Sequence, residues 1–196
     1  MCAKCTSLAA DQRGVTLIEL IVFIVIVSVG VVGLLSTMNS TIRNSADPMV
    51  RKQMVAIAES LLNEVLQQPF SYCDPDDVNF PTATSTAGCT GAAAASQDKG
   101  GFALTTPTPV TETRYGAVGT QFDNVADYGG FTRTPIDDVA GGNTMAGYTA
   151  SVAIARAGTT FALANDAVLL ITVTVQRAGA DDFSLSGYRF RYAPRN

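Results

Sequence analysis

Val15–Leu35 reads VTLIELIVFIVIVSVGVVGLL, 21 residues whose one strongly polar side chain is Glu19. At about 1.5 Å per residue a helix of this length spans roughly 31 Å, the thickness of a bilayer's hydrocarbon core. A buried helix of a soluble domain stops sooner and shows a polar face. A secretory signal has a shorter apolar region followed by a small-residue cleavage site. The segment is therefore expected to span a membrane. Lys4 and Arg13 outnumber Asp11 in the flank before it, which places the N-terminus in the cytoplasm and the chain after Leu35 outside. A carboxylate inside such a helix costs about 2.5–3.5 kcal/mol on insertion scales, so Glu19 is expected to have a partner or a task.

The rest of the 196 residues leaves room for one further domain. The chain is 47% hydrophobic and only 15% charged, which excludes a highly charged disordered chain. Its net charge of -4, with no basic stripe, argues against nucleic acid as a partner. Histidine is absent, which removes Ser-His-Asp and Cys-His catalysis and the common zinc hydrolase sites. Nucleophile elbows, phosphate loops and dinucleotide fingerprints are absent too, so no cofactor and no enzymatic activity are expected.

Downstream, Val50, Met54, Ile57, Leu61 and Val65, with Ala58 and Leu62 alongside, recur at three- and four-residue steps. Arg51, Lys52, Glu59, Asn63 and Gln67 fill other positions. The spacing predicts an amphipathic helix over 49–68, its stripe lying on a sheet and its end set by Pro69. Pro48 is expected to kink or locally melt the run, and Gly30 and Gly33 to weaken its first half while allowing close helix packing. From Phe70 to Thr113 small polar residues broken by Pro and Gly read as long surface loops that form no core. YTASVAIARA from Tyr148, AVLLITVTVQRA from Ala167 and FSLSGYRFRYAP from Phe183 read as three strands of an antiparallel meander. In the last, Tyr188, Phe190 and Tyr192 share one face and Arg189 and Arg191 the other, as a half-solvated strand requires. The fold class is α+β, with residues 15–35 in the membrane, 49–68 amphipathic and 69–196 a globular loop-and-sheet domain.

Arg13-Gly14 followed by VTLIEL and unbroken Val, Ile and Leu resembles the cleavage and anchor signature of type IV pilin precursors. The resemblance implies a leader over 1–14, cleavage after Gly14 by a membrane-embedded prepilin peptidase, and Val15 as the first mature and N-methylated residue. That family usually has phenylalanine, sometimes methionine, at this position. Glu19 corresponds to the family's fifth-position glutamate, implied to act in assembly. RNSADPMVRKQMVAIAESLLNEVLQQPF and the QFDNVADYGGF that begins at Gln121 resemble stretches of minor pilins of mannose-sensitive haemagglutinin (MSHA) pilus systems. The implied fold is type IV pilin-like, a long N-terminal helix packed on a C-terminal sheet. The implied partners are other pilins in a helical filament, and the implied location is the inner membrane and then an extracellular fibre. A type II secretion pseudopilin, which shares leader, anchor and glutamate, and a membrane-anchored enzyme or receptor are the alternatives.

In an oxidising compartment Cys73 and Cys89 are expected to close a loop of about 17 residues. Cys2 and Cys5 form a CxxC within the leader, with no second pair. The acidic groups Asp74, Asp76, Asp77 and Asp123, Asn124, Asp127 have oxygen ligands suited to calcium. Neither follows the Asp-x-Asp-x-Asp-Gly spacing, so turn chemistry is preferred and no metal is expected. Phe122 to Gly130 is expected to form a compact turn with Asp123 or Asp127 bonded to nearby backbone N–H groups and the Phe122 or Tyr128 ring folded inward.

Overall fold

Helix α1, Leu17–Gln67, carries both hydrophobic patterns of the N-terminal third. The computed structural model of the protein describes residues 14–91 and 96–191, and over 39–47 the backbone alone. Lys4, Asp11, Arg13, Cys2, Cys5 and Tyr192 lie outside the described residues. The chain divides into two compact units, Met1–Ala46 and Asp47–Asn196.

In the first unit the Leu20 N–H bonds to the Thr16 carbonyl at 3.1 Å, opening the helix. Leu17–Met38 forms 22 residues of mean hydropathy 2.9, long and apolar enough to cross a membrane, with its side chains exposed. Valine and isoleucine are mediocre helix formers in water, but where no water is present each backbone polar group must bond internally, which a helix achieves. Ser28 and Thr37 follow the same logic. Their hydroxyls donate back to the carbonyls of Ile24 at 2.7 Å and Leu34 at 2.9 Å, so neither demands an outside partner. The helix continues through Pro48. Of the two outcomes expected there, local melting is therefore not the one found.

In the second unit Met54, Ile57, Ala58, Leu61, Leu62 and Val65 are buried, while Arg51, Lys52, Glu59, Asn63 and Gln67 are exposed. The stripe covers a four-stranded antiparallel sheet of order β1-β4-β5-β6, formed by β1 (Thr132–Arg133), β4 (Tyr148–Arg156), β5 (Val168–Arg177) and β6 (Phe183–Phe190). Strands β2 (Ile136–Asp137) and β3 (Thr144–Met145) pair separately. Register places Val152 against Val173 and Ala150 against Val175, all four buried with Ile171 in the core shared with the helix. Thr172 and Thr174 alternate with them and meet Ser186 and Ser184 hydroxyl to hydroxyl, each at 2.9 Å, giving the period-two pattern of a sheet with one wet face.

Two expectations are corrected. The middle segment does contribute to a core: Phe70 and Leu104 join the hydrophobic cluster, and Asp74, Gln97, Lys99 and Glu112 are buried. Its polar residues are held by hydrogen bonds rather than left to water, and that tertiary pairing cannot be read from composition. In β6 the alternation holds, but the aromatic residues take the wet face. Tyr188 and Phe190 are 46% and 43% exposed and pack edge-on against Phe161, with centroids at 5.0 Å. The cause lies on the inner face. A Cβ at Gly187 would come within 3.3 Å of Leu66 Cδ1, so helix α1 packs closely on this face of β6. Arg189, two residues on, donates to the Gln68 carbonyl at 3.0 Å just past the helix end, where cations are favoured. Arg191 pairs with Asp166 at 2.7 Å and lies over the rings of Phe70 and Tyr72. Arg189 is thus received by the end of the helix and Arg191 by Asp166 and two aromatic rings.

Candidate functional site

The first candidate region is the start of α1. Gly14, Val15 and Thr16 precede the helix, and Val15 is 70% exposed. The Glu19 N–H donates to Thr16 Oγ1 at 3.4 Å, so Thr16 caps the helix from the N-cap position. Glu19 lies in the first turn, where the helix dipole favours a negative charge. The Thr-x-x-Glu spacing of a capping box signals Thr16 in the sequence.

The second region is in the globular unit. The two acidic groups of the sequence do not stand apart: Asp74, from the Cys-Asp-Pro-Asp-Asp run, meets Asp123 and Asp127, and Glu112 joins them. A carboxylate oxygen from each of the four lies within 4.8 Å of the others. Asn124 ties the group together. Its Nδ2 donates to Asp74 Oδ2 at 2.7 Å, and its Oδ1 accepts the Asp127 N–H at 3.2 Å. Asp127 returns the bond, accepting the Asn124 N–H at 3.1 Å and the Asp123 N–H at 3.3 Å, which completes a capping box on the short 3-10 turn Val125–Tyr128. The Thr108 N–H donates to its other oxygen at 2.9 Å. Glycine is required beside this turn. A Cβ at Gly130, where φ is +81°, would fall 2.3 Å from the Thr105 carbonyl oxygen.

Burial acts first on every charge here. It raises Glu112 to about 9, with the Asp127 carboxylate adding to the effect. It raises Asp123 to about 7, helped by Asp74 and Asp127, and Asp74 to about 6 despite the opposing bond from the Asp76 N–H. Asp127 is also raised by burial, against its backbone hydrogen bonds. Lys99 is lowered by burial while Asp127, Glu112 and Asp74 pull it back up; its ammonium donates to the Thr106 carbonyl and to Thr108 Oγ1. The Glu112 and Asp127 carboxyl groups share a hydrogen bond, which favours the proton on Glu112, and Asp123 Oδ1 is buried without a donor. Nothing in the sequence marks Glu112 or Lys99, each a single charge of its sign in a polar loop with an opposite charge within two residues.

A third constellation escapes sequence reading altogether. Arg114 forms a two-pronged ion pair with Glu64 of α1, its Nε at 2.7 Å from Oε1, and reaches Asp137 of β2 at 3.3 Å. Arg133 also contacts Asp137, at 3.1 Å. Tyr128 donates to Glu64 at 2.9 Å and stacks edge-on with Phe122, with centroids 5.0 Å apart. The predicted turn residues Phe122 and Tyr128 thus join an aromatic group with Phe131. A neighbouring groove lined by Gln53, Ile57, Ile136 and Met145 also contains Arg114 and Asp137, which already engage each other.

Cys73 and Cys89 are bonded, with Cα atoms 5.3 Å apart, so their proximity to Asp77 offers no thiolate to a metal. Asp77 closes the same loop by accepting the Thr90 N–H at 2.7 Å.

A family model described as the prokaryotic N-terminal methylation motif matches residues 10–35, which include Gly14, Val15 and Glu19. The chain carries a prepilin-type N-terminal signal. That motif indicates a type IV pilin-like or pseudopilin protein, and implies processing by a prepilin peptidase and assembly into a filament. The long apolar N-terminal helix followed by an antiparallel sheet is consistent with the type IV pilin fold. Comparison with curated proteins and with solved structures gives no match.

Proposed function

We propose that the protein is a minor pilin, a structural subunit of an MSHA-like type IV pilus and a counterpart of MshD, acting in fibre initiation, assembly or adhesion. The observation that carries this reading is the methylation motif lying across the start of α1. Cleavage after Gly14 removes the leader and leaves the apolar helix on the mature chain. The scissile bond precedes the helix, so a peptidase can take it in extended form without unwinding helical hydrogen bonds. The helix anchors the subunit in the inner membrane with its N-terminus cytoplasmic, and then packs in the filament. Glu19 sets the register there by pairing with the amino group freed at Val15, of the same or a neighbouring subunit.

The Ser45–Pro48 and Phe122–Tyr128 stretches support MSHA membership, and the second of them builds the capped turn against Asp74. Quantitative mass spectrometry of sheared fibres tests the assignment. The chain is expected there at a small fraction of the major subunit. Recovery only in membranes, with the components of a secretion machine, contradicts it in favour of a pseudopilin.

A further inference from the structure

We infer that the hydrogen bond between the Glu112 and Asp127 carboxyl groups is a proton-operated latch, which holds the 105–112 strap against the capped turn Val125–Tyr128 and releases it in alkaline medium. The strap is fixed at its two ends. Before it Leu104 is buried in the hydrophobic core; after it the Thr113 N–H bonds to the Thr120 carbonyl at 3.0 Å and Arg114 pairs with Glu64 of α1. Between those points, among the described residues, its one backbone–backbone hydrogen bond is internal, from the Glu112 N–H to the Pro109 carbonyl at 3.1 Å. Side chains hold the remainder. Lys99 Nζ donates to the Thr106 carbonyl and to Thr108 Oγ1, and Asp127 engages both Thr108 and Glu112. A segment held in this way opens locally at lower cost than the strands of the sheet.

Geometry places the proton. Asp127 accepts the N–H groups of Thr108 at 2.9 Å, Asn124 at 3.1 Å and Asp123 at 3.3 Å, the bonding of a carboxylate. No donor reaches either oxygen of Glu112, which is 3% exposed. The hydrogen bond that the two groups share therefore has its proton on Glu112. Two buried carboxylates at this range are costly when both are ionised, so loss of the proton turns the latch into a repulsion.

The surrounding charges strengthen that repulsion. Asp74 and Asp123 bring carboxylate oxygens within 4.8 Å of those of Glu112 and Asp127, and Asp76 faces the group from the same run as Asp74. The cation that faces it is Lys99, whose ammonium is engaged by Thr106 and Thr108. Burial and the neighbouring carboxylates hold Glu112 up at about 9. The closed strap thus keeps a proton that the open strap gives up, and closure weakens as pH rises through that value.

Hydrogen–deuterium exchange of the full-length protein in detergent, followed by mass spectrometry from pH 6 to pH 10 and corrected for the intrinsic exchange rate, tests the latch. The Thr108 and Glu112 N–H groups report on the strap, since both are bonded when it is closed. Their peptides are expected to lose protection at least about tenfold across that range, and to regain it on return to pH 6, while peptides of β5 keep theirs. Glu112→Gln, whose amide donates to Asp127 without titrating, is expected to keep the strap closed at pH 10, with circular dichroism as the check on folding. Asp123→Asn removes a neighbouring charge and is expected to move the release to higher pH, whereas Asp138→Asn, in an exposed loop, leaves it in place. Strap protection that does not change with pH, the same loss in Glu112→Gln as in the parent, an unmoved release in Asp123→Asn, or loss over the strap and β5 in a single step overturns the latch.

Discussion

Asn124 Nδ2 donates to Asp74 Oδ2 at 2.7 Å, fastening together residues 50 positions apart in the chain. The same side chain caps the turn through its other atom, accepting from the Asp127 N–H. Asn124→Ala deprives a buried carboxylate and a buried N–H of partners at once, with an expected loss of about 1–3 kcal/mol. It should appear as a lower urea midpoint with an unchanged slope. An unmoved midpoint would show that neither bond stabilises the fold.

The carboxylate cluster makes stability depend on pH. Burial holds Glu112 at about 9, Asp123 at about 7 and Asp74 at about 6, all above the usual carboxylate range. The folded chain therefore binds more protons than the unfolded one, and stability falls as pH rises through those values. Asp76, Asp127 and Lys99 share the field. Urea midpoints at pH 5 and pH 9 are expected to differ, with the lower midpoint at pH 9. Glu112→Gln should flatten the alkaline part of the slope. A midpoint that rises with pH would contradict this ordering of charges.

The Glu64–Arg114–Asp137 network links α1 to β2 through side chains that are almost fully buried. Arg114→Ala leaves the buried Glu64 without its cation and Asp137 with Arg133 as its cation, with an expected cost of about 3–5 kcal/mol. Glu64→Gln combined with Arg114→Met removes both charges, and the double variant is expected to recover part of that loss. Thermal melting of the two variants checks it. Equal melting temperatures for Arg114→Ala and the parent would mean that the pair is not formed in solution.

Features set by periodicity were legible in the sequence: the apolar run, the stripe from Val50 to Val65 and the three strands of the meander. Each follows from local spacing that repeats along one element. The side-chain networks were not legible, because their partners come from distant segments. Glu112 and Arg114 sit two residues apart in a polar loop, yet one joins the carboxylates and the other joins Glu64 of the helix. The face reversal in β6 has a similar origin. Alternation fixes that Arg189 and Tyr188 point opposite ways, but which side is inner depends on where helix α1 and its end lie.

Glu19 carries the assembly proposal. Its backbone N–H is satisfied by Thr16, so truncating the side chain leaves the helix start intact. Glu19→Ala is expected to insert and to be cut normally, but to be recovered in sheared fibres at a small fraction of the parent level. Glu19→Gln should fall between them, because it keeps the polar shape without the charge that a buried amino terminus requires. Normal incorporation of Glu19→Ala would reduce the residue to a tolerated polar group at the membrane edge.

The motif across residues 10–35 makes processing the central claim, and the intact mass of the membrane-extracted protein tests it most directly. In cells with an active prepilin peptidase the mass is expected to match a chain that begins at Val15, with one added methyl group on its amino terminus. A mass that begins at Met1 in those cells contradicts the account.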